Sequence, residues 1–196
     1  MKMQSLDEVY MNKLKDLYDA ENQIVDALPK MGQAASSAEL KDALRKHLEQ
    51  TKGQVIRLEE IFDMLGASAG NRHSSGIRGL LQEGDDLVNE QEQGPALDAA
   101  LIAAAQSVEH YEIAGYGAAQ TWARQLGQRE AADLLEETLE EERQTDEELT
   151  EIAETLVNVE ANREVDEEEE EEDLEEEEGD LSLQTSDDEG DRADEM

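Results

Sequence analysis

The stretch Ile102–Tyr116, which reads IAAAQSVEHYEIAGY, decides the fold that this sequence predicts. Its apolar side chains recur at the three- and four-residue spacing of an amphipathic helix. Glu109 lies in that apolar stripe, at a position where a core helix would normally have a leucine. Glu112 follows one turn later. An unpartnered buried carboxylate is so unfavourable that it takes up a proton or binds a cation. The stretch therefore predicts a core helix that carries an internal cation site.

Two other segments place a glutamate in an apolar stripe in the same way. Glu21 interrupts the stripe of the first long segment, between Leu17 and Ile24, and Glu142 interrupts that of the last, between Leu135 and Leu149. Each glutamate alone could be a protonated or arginine-paired core acid, or the helical register could be wrong by one residue. Three helices with the same feature favour a metal cage instead.

The second long segment has no carboxylate in its stripe. His47 and Gln54 flank the stripe, whereas Glu49 points away from it by roughly 140° on a helical wheel. The helix therefore presents His47, Thr51 and Gln54 to the core more readily than any carboxylate, and Glu49 is a ligand only if this helix is rotated or distorted. His47 is a candidate ligand, and its alternative is an interior histidine that is held by hydrogen bonds.

Three further residues are candidates close to the proposed ligands. Asp146 follows Glu142 by one turn and is a candidate ligand, with Thr145 at the place that a histidine would usually occupy. His110 neighbours Glu109 but points to an adjacent face. Tyr18, one turn before Glu21, is the candidate for a hydrogen bond that orients a ligand.

Charge divides the chain into a body, residues 1–160, and a tail, residues 161–196. The chain has 196 residues and a formal net charge of −37, and the tail holds 20 acidic residues against two arginines. A segment so charged and so poor in apolar residues is expected to be disordered. The body is itself very acidic, which predicts a protein adapted to a salt-accumulating, halophilic cytoplasm, where high salt screens the repulsion.

Composition also excludes several classes of function. Cysteine is absent, which removes disulfides, thiolate metal sites and thiol nucleophiles. The acidic balance argues against nucleic-acid binding. No stretch approaches the roughly 20 apolar residues of a membrane span, and no signal-like segment opens the chain, so we expect no membrane association and a cytoplasmic location.

Two prolines and abundant Ala, Leu, Glu and Gln favour an all-α domain. We predict four long helices at about residues 6–35, 36–65, 96–126 and 129–157, the second beginning with a capping box of Ser36 and Glu39. The connection 67–95 should contain a short helix. Since a single long crossover distinguishes ferritin-like bundles from up-and-down ones, the predicted fold is a ferritin-like four-helix bundle.

Four segments resemble the YciE/YciF family of ferritin-like proteins over about residues 5–157. They are Asp98–Ala114 (DAALIAAAQSVEHYEIA), Leu28–Met31 (LPKM), His47–Thr51 (HLEQT) and Thr138–Asp146 (TLEEERQTD). The resemblance implies a rubrerythrin-related bundle, usually a dimer, that is associated with stress responses. It also implies that Glu109 and Glu112 are paired ligands. The family commonly has a glutamate where this chain has Gln50, and the histidine usual in the fourth helix is absent.

These observations together predict a homodimeric stress protein that binds one or two iron or manganese ions. The candidate ligands are Glu21, Glu109, Glu112 and Glu142, followed by His47, Asp146 and Glu49. With such ions the protein could act on a small oxidant, peroxide or dioxygen. The alternatives are a non-catalytic structural stress protein that dimerises with little or no metal and, more remotely, a storage shell.

Overall fold

The computed structural model describes residues 3–163, which form five α-helices. They are α1 (Leu6–Ala34), α2 (Ala38–Met64), α3 (Ser75–Glu90), α4 (Pro95–Gln125) and α5 (Arg129–Ile152). A π-helical turn, Ala153–Val157, continues α5, and residues 158–163 are again helical. The predicted all-α fold is confirmed. Within the described range, no helix combines the length and the apolar character that crossing a bilayer requires.

The acidic tail predicted for residues 161–196 lies almost wholly outside the described residues. Residues 161–163 belong to the last helix, three residues beyond the predicted boundary.

The four long helices form the predicted bundle with one crossover. Helix α1 packs against α2 and α4, and α5 packs against the same two helices, while α3 lies on α1 and α4. Asp98, in the first turn of α4, contacts the turn between α1 and α2. Helices α2 and α4 therefore begin at the same end of the bundle, and α3 carries the chain back along it. This α3 is the short helix expected between residues 67 and 95.

The start of α2 differs from the predicted capping box. Its N-cap is Ser37, whose hydroxyl accepts from the backbone N–H of Leu40, while Ser36 lies one residue outside the helix. Ser36 is instead held by Asp98, since its backbone N–H and its hydroxyl both donate to that carboxylate. The prediction that Ser36 caps α2 was wrong because a side chain distant in sequence competes for it.

Asp98 is buried and accepts three hydrogen bonds from the α1–α2 turn, at 2.6–2.7 Å. An Asp98→Asn change would turn one acceptor oxygen into a donor that faces another donor. We expect the free energy of unfolding to fall by about 1.5–3 kcal/mol in urea denaturation, since the bonds lost are charge-assisted. The control is Asp42→Asn on the exposed face of α2, where the change should stay within about 0.5 kcal/mol. Equal effects of the two changes would contradict this account of the turn.

The core consists of two apolar clusters with a polar layer between them. One cluster contains Ile24, Leu44 and Leu101, and the other contains Leu14, Leu58 and Leu135. Every long helix changes from one cluster to the other near its middle, and the buried residues at that point are polar. They are Glu21, His47, Thr51, Gln54, Glu109, Glu112, Glu142 and Thr145. The layer crosses the whole bundle.

Candidate metal centre

Five side chains of the polar layer, which we call the cage, meet at the bundle axis. Glu21 comes from α1, His47 from α2, Glu109 and Glu112 from α4, and Glu142 from α5, and none is more than 3% exposed. His47, Glu109, Glu112 and Glu142 each offer one ligand atom, and these atoms lie within 4.8 Å of one another. Glu21 lies next to this group. Its carboxylate helps to raise the pKa of Glu112, and the carboxylate of Glu142 helps to raise the pKa of Glu21.

Side chains outside the cage hold three of its members. The hydroxyl of Tyr116 donates to Oε1 of Glu21, and Nε2 of Gln54 donates to Oε1 of Glu142. The hydroxyl of Thr145 lies 3.4 Å from Nδ1 of His47. Each contact engages one atom of the cage residue and leaves its second atom directed elsewhere, which is how outer contacts commonly orient metal ligands.

Five carboxylate oxygens of the cage receive no hydrogen bond from outside it, and where the cage carboxyl groups keep protons they can only bond to one another, Glu21 to Glu112 and Glu109 to Glu142. The five oxygens are Oε2 of Glu21, Glu109 and Glu142, and both oxygens of Glu112. Nε2 of His47 lies 3.2 Å from Oε1 of Glu109, but the geometry of this contact does not make it a hydrogen bond. Buried polar atoms are nearly always paired. A cluster of carboxyl oxygens that no outside donor engages, beside an imidazole nitrogen, is a set of ligand atoms that a cation would satisfy.

Burial shifts the titration of all four cage carboxyl groups. Loss of hydration raises the pKa of Glu21 to about 8 and that of Glu109 to about 8. The pKa values of Glu112 and Glu142 stand well above the ordinary glutamate value, first because of burial and then because neighbouring carboxylates repel a further negative charge. Without a cation, the cage therefore retains protons at neutral pH, and a bound cation would replace them.

Arg57 approaches the cage without neutralising it. Its guanidinium forms a two-pronged pair with Glu141, at 2.8 and 2.7 Å, and Glu141 lies outside the cage. Burial opposes ionisation of Glu141, but hydrogen bonds from Arg57 and Gln54 outweigh that effect and lower its pKa. Among residues 3–163, no lysine or arginine forms an ion pair with a cage carboxylate. The alternative of arginine-paired core acids therefore does not describe this cluster.

The structure brings together five of the seven predicted ligands and leaves two outside. Glu49 lies on the exposed face of α2 and pairs with Lys52 at 2.6 Å, as the helical wheel indicated. Asp146 lies beside the cage, where its carboxylate accepts from Gln106 at 3.1 Å and contacts Nε2 of His110 at 3.2 Å. Neither residue adds a ligand atom to the cluster, although the carboxylate of Asp146 helps to raise the pKa of Glu109.

The tyrosine next to Glu21 is not the predicted one. Tyr18 turns to the surface and donates to Glu59, while Tyr116 of α4 donates to Glu21. Tyr116 lies in the apolar stripe of Ile102–Tyr116, one turn after Glu112, and this core-facing position was the one sign in the sequence that it could contact the cage. Spacing along one helix could not reveal a partner on another helix.

Comparisons with known proteins agree with this architecture. Residues 5–162 match the family model described as "Domain of unknown function (DUF892)". Protein YciF of Escherichia coli (strain K12) is 43% identical over 162 residues, which is 82% of this chain and 98% of that protein.

Solved structures similar to this chain have the same bundle. The crystal structure of the E. coli stress protein YciF superposes with a TM-score of 0.77 and covers 80% of this chain and 99% of that one. YcfI of Rhodopseudomonas palustris, described as "a putative structural protein", is 38% identical with a TM-score of 0.73, and covers 76% of this chain and 95% of that one. A Xanthomonas campestris protein, 23% identical with a TM-score of 0.65 over 82% of this chain and 99% of that one, shows the fold alone.

Proposed function

Because this chain belongs to the YciE/YciF family, whose members share the DUF892 domain, we propose that it is a metal-binding stress protein that holds iron or manganese in the cage. The E. coli relative YciF is a stress protein, and the proposal extends that role to this chain. Cytoplasmic location and a homodimer stay predictions made from the sequence.

The unpaired oxygens of the cage are the observation that carries this proposal. Five buried carboxylate oxygens without partners converge from three helices, next to a histidine on a fourth. If the cage were only structural, apolar residues of similar volume would give a more stable core. A cation would pair the oxygens and release the protons that burial forces on them.

The chemistry of the donors favours iron or manganese. Carboxylate oxygens suit hard divalent cations, and one imidazole adds affinity for iron. Four ionised glutamates balance the charge of two divalent ions, with His47 neutral. Neither oxygen of Glu112 is held by a donor outside the cage, so both would be available to a cation. The cage therefore fits one or two ions.

Bound iron or manganese would supply redox chemistry toward peroxide or dioxygen. The protein would contribute a site from which bulk water is excluded, since every cage residue is nearly or fully buried. Tyr116 would orient Glu21 and keep a phenolic proton next to the carboxylate. This redox role remains part of the proposal.

Metal analysis of protein purified without chelator tests the proposal directly. We expect one or two iron or manganese ions per chain in the wild type and at least a tenfold lower content in Glu109→Ala, which removes a ligand. Glu140→Ala is the matched control, because Glu140 lies on the exposed face of the same bundle, two residues before Glu142. Its metal content should equal that of the wild type.

A structural role without metal is the second candidate, and the description of YcfI favours it. Wild-type protein that is metal-free as isolated, and whose thermal stability does not change when Fe(II) or Mn(II) is added, would support that role and reject the metal proposal.

A further inference from the structure

Gln54 of α2 links the cage to an ion pair at the surface of the bundle. Its side chain is fully buried, and its Nε2 donates to Oε1 of Glu142 and, at 3.0 Å, to Oε2 of Glu141. Glu141 is in turn held by Arg57, which is only partly buried. A continuous chain of contacts therefore runs from solvent to a cage ligand.

The two carboxylates fix the direction of the Gln54 amide. A flipped amide would place Oε1 against two acceptor oxygens, whereas the observed orientation gives each carboxylate one of the two N–H groups. No other side chain of this length donates two hydrogen bonds without carrying a charge. Leucine would donate none, and lysine would bring a positive charge next to the cage.

The position of Arg57 supports the same interpretation. Its positive charge is balanced by Glu141, and it also donates at 2.8 Å to the hydroxyl of Thr138, one turn before Glu142. The arginine thus locks α2 to α5 on the outer side of Gln54. Glu142 receives a neutral donor, so the negative charge that the cage offers to a cation is preserved.

We propose that Gln54 is a positioning residue, which holds Glu142 in the orientation that binds a cation while Arg57 and Glu141 hold Gln54. This inference rests on the proposed function. It assigns control of metal affinity to an uncharged side chain in the second helix, where the sequence has no carboxylate directed at the core.

Titration with Mn(II), followed by the EPR signal of the free ion, tests this role. We expect Gln54→Leu to raise the Kd by about 10- to 100-fold, the usual effect of losing a group that orients a ligand. The metal-free variant should melt somewhat lower than the wild type, because Glu141 and Glu142 each lose a donor, although leucine also removes the buried unpartnered Oε1 of Gln54. When saturated with Co(II), the variant should show an altered visible spectrum.

Gln120→Leu is the matched control, since Gln120 is a buried glutamine of α4 two turns beyond Glu112. Its Kd should stay within about twofold of the wild type. An unchanged Kd in Gln54→Leu, or a weaker Kd with the visible spectrum of the Co(II) form unaltered, would overturn this inference and leave the proposed function standing. A wild type that binds no Mn(II) would overturn both this inference and the proposed function.

Discussion

Replacing Glu112 by leucine should abolish stabilisation by metal and, at the same time, stabilise the metal-free protein. In the wild type, Mn(II) at about 1,000 times its Kd should contribute about 4 kcal/mol, which raises the melting temperature by about 8–16 °C for a domain of this size. Glu112→Leu should show no such rise, because Glu112 is the cage ligand with two free oxygens.

The gain in metal-free stability has a separate cause. Neither oxygen of Glu112 receives a hydrogen bond from outside the cage, so leucine removes the penalty of burying two polar atoms and any charge on them. We expect the metal-free variant to be more stable by about 1–3 kcal/mol, as measured by differential scanning calorimetry. Glu140→Leu on the exposed face provides the comparison and should respond to Mn(II) like the wild type. If Glu112→Leu is less stable than the wild type both with and without Mn(II), Glu112 stabilises the fold and does not bind a cation.

The stability of the metal-free protein should fall as pH rises from about 5 to 8. In the folded state Glu21 and Glu109 keep their protons up to a pKa of about 8, whereas in the unfolded chain they release them near 4.5. The folded state therefore binds more protons across this range, and raising the pH favours unfolding. The contribution is fully present below pH 4.5 and is lost as the pH passes through about 8. Each group contributes about 1.4 kcal/mol per pH unit at most.

Bound metal should remove most of that slope. A cation holds the carboxylates ionised in the folded state, as they already are in the unfolded chain above about pH 5, so these glutamates exchange almost no protons when the metal-bound protein folds. Denaturation midpoints measured at several pH values, with and without Mn(II), give the two slopes. The Glu21→Gln/Glu109→Gln double variant should have a flatter metal-free slope, while the other acidic residues of the body are the same in both proteins. Parallel slopes with and without metal would contradict the metal assignment.

The sequence was sufficient for the helices and for most of the cage. Apolar spacing in one helix identifies its buried face, so Glu21, Glu109, Glu112 and Glu142 could each be placed inside before any contact was known. The structure buries all four. The ends of α2 and α4 were equally readable, since Gly66 and Gly127 both adopt positive φ angles, 60° and 78°, that other residues avoid.

The second helix turns His47, Thr51 and Gln54 to the core as the helical wheel indicated, but the sequence could not predict how far the helix rotates. Its apolar stripe includes Leu48 and Val55, yet both are only half-buried, while His47 and Gln54 are buried. The helix is rotated toward its polar flank because the carboxylates of three other helices lie opposite, and His47 and Gln54 can contact them. The spacing of apolar residues along one helix contains no information about attraction between polar groups on different helices.

The amino-acid sequence by itself determined an all-helical bundle with acids in its interior, because helical periodicity and the preference of apolar side chains for burial are properties of each segment alone. Only the tertiary structure decided which atoms remain unpaired, that Tyr116 and not Tyr18 contacts Glu21, and that Arg57 pairs with Glu141 and not with the cage. Those outcomes depend on distances between helices that are far apart in the chain, and hydrogen bonds and ion pairs depend steeply on such distances.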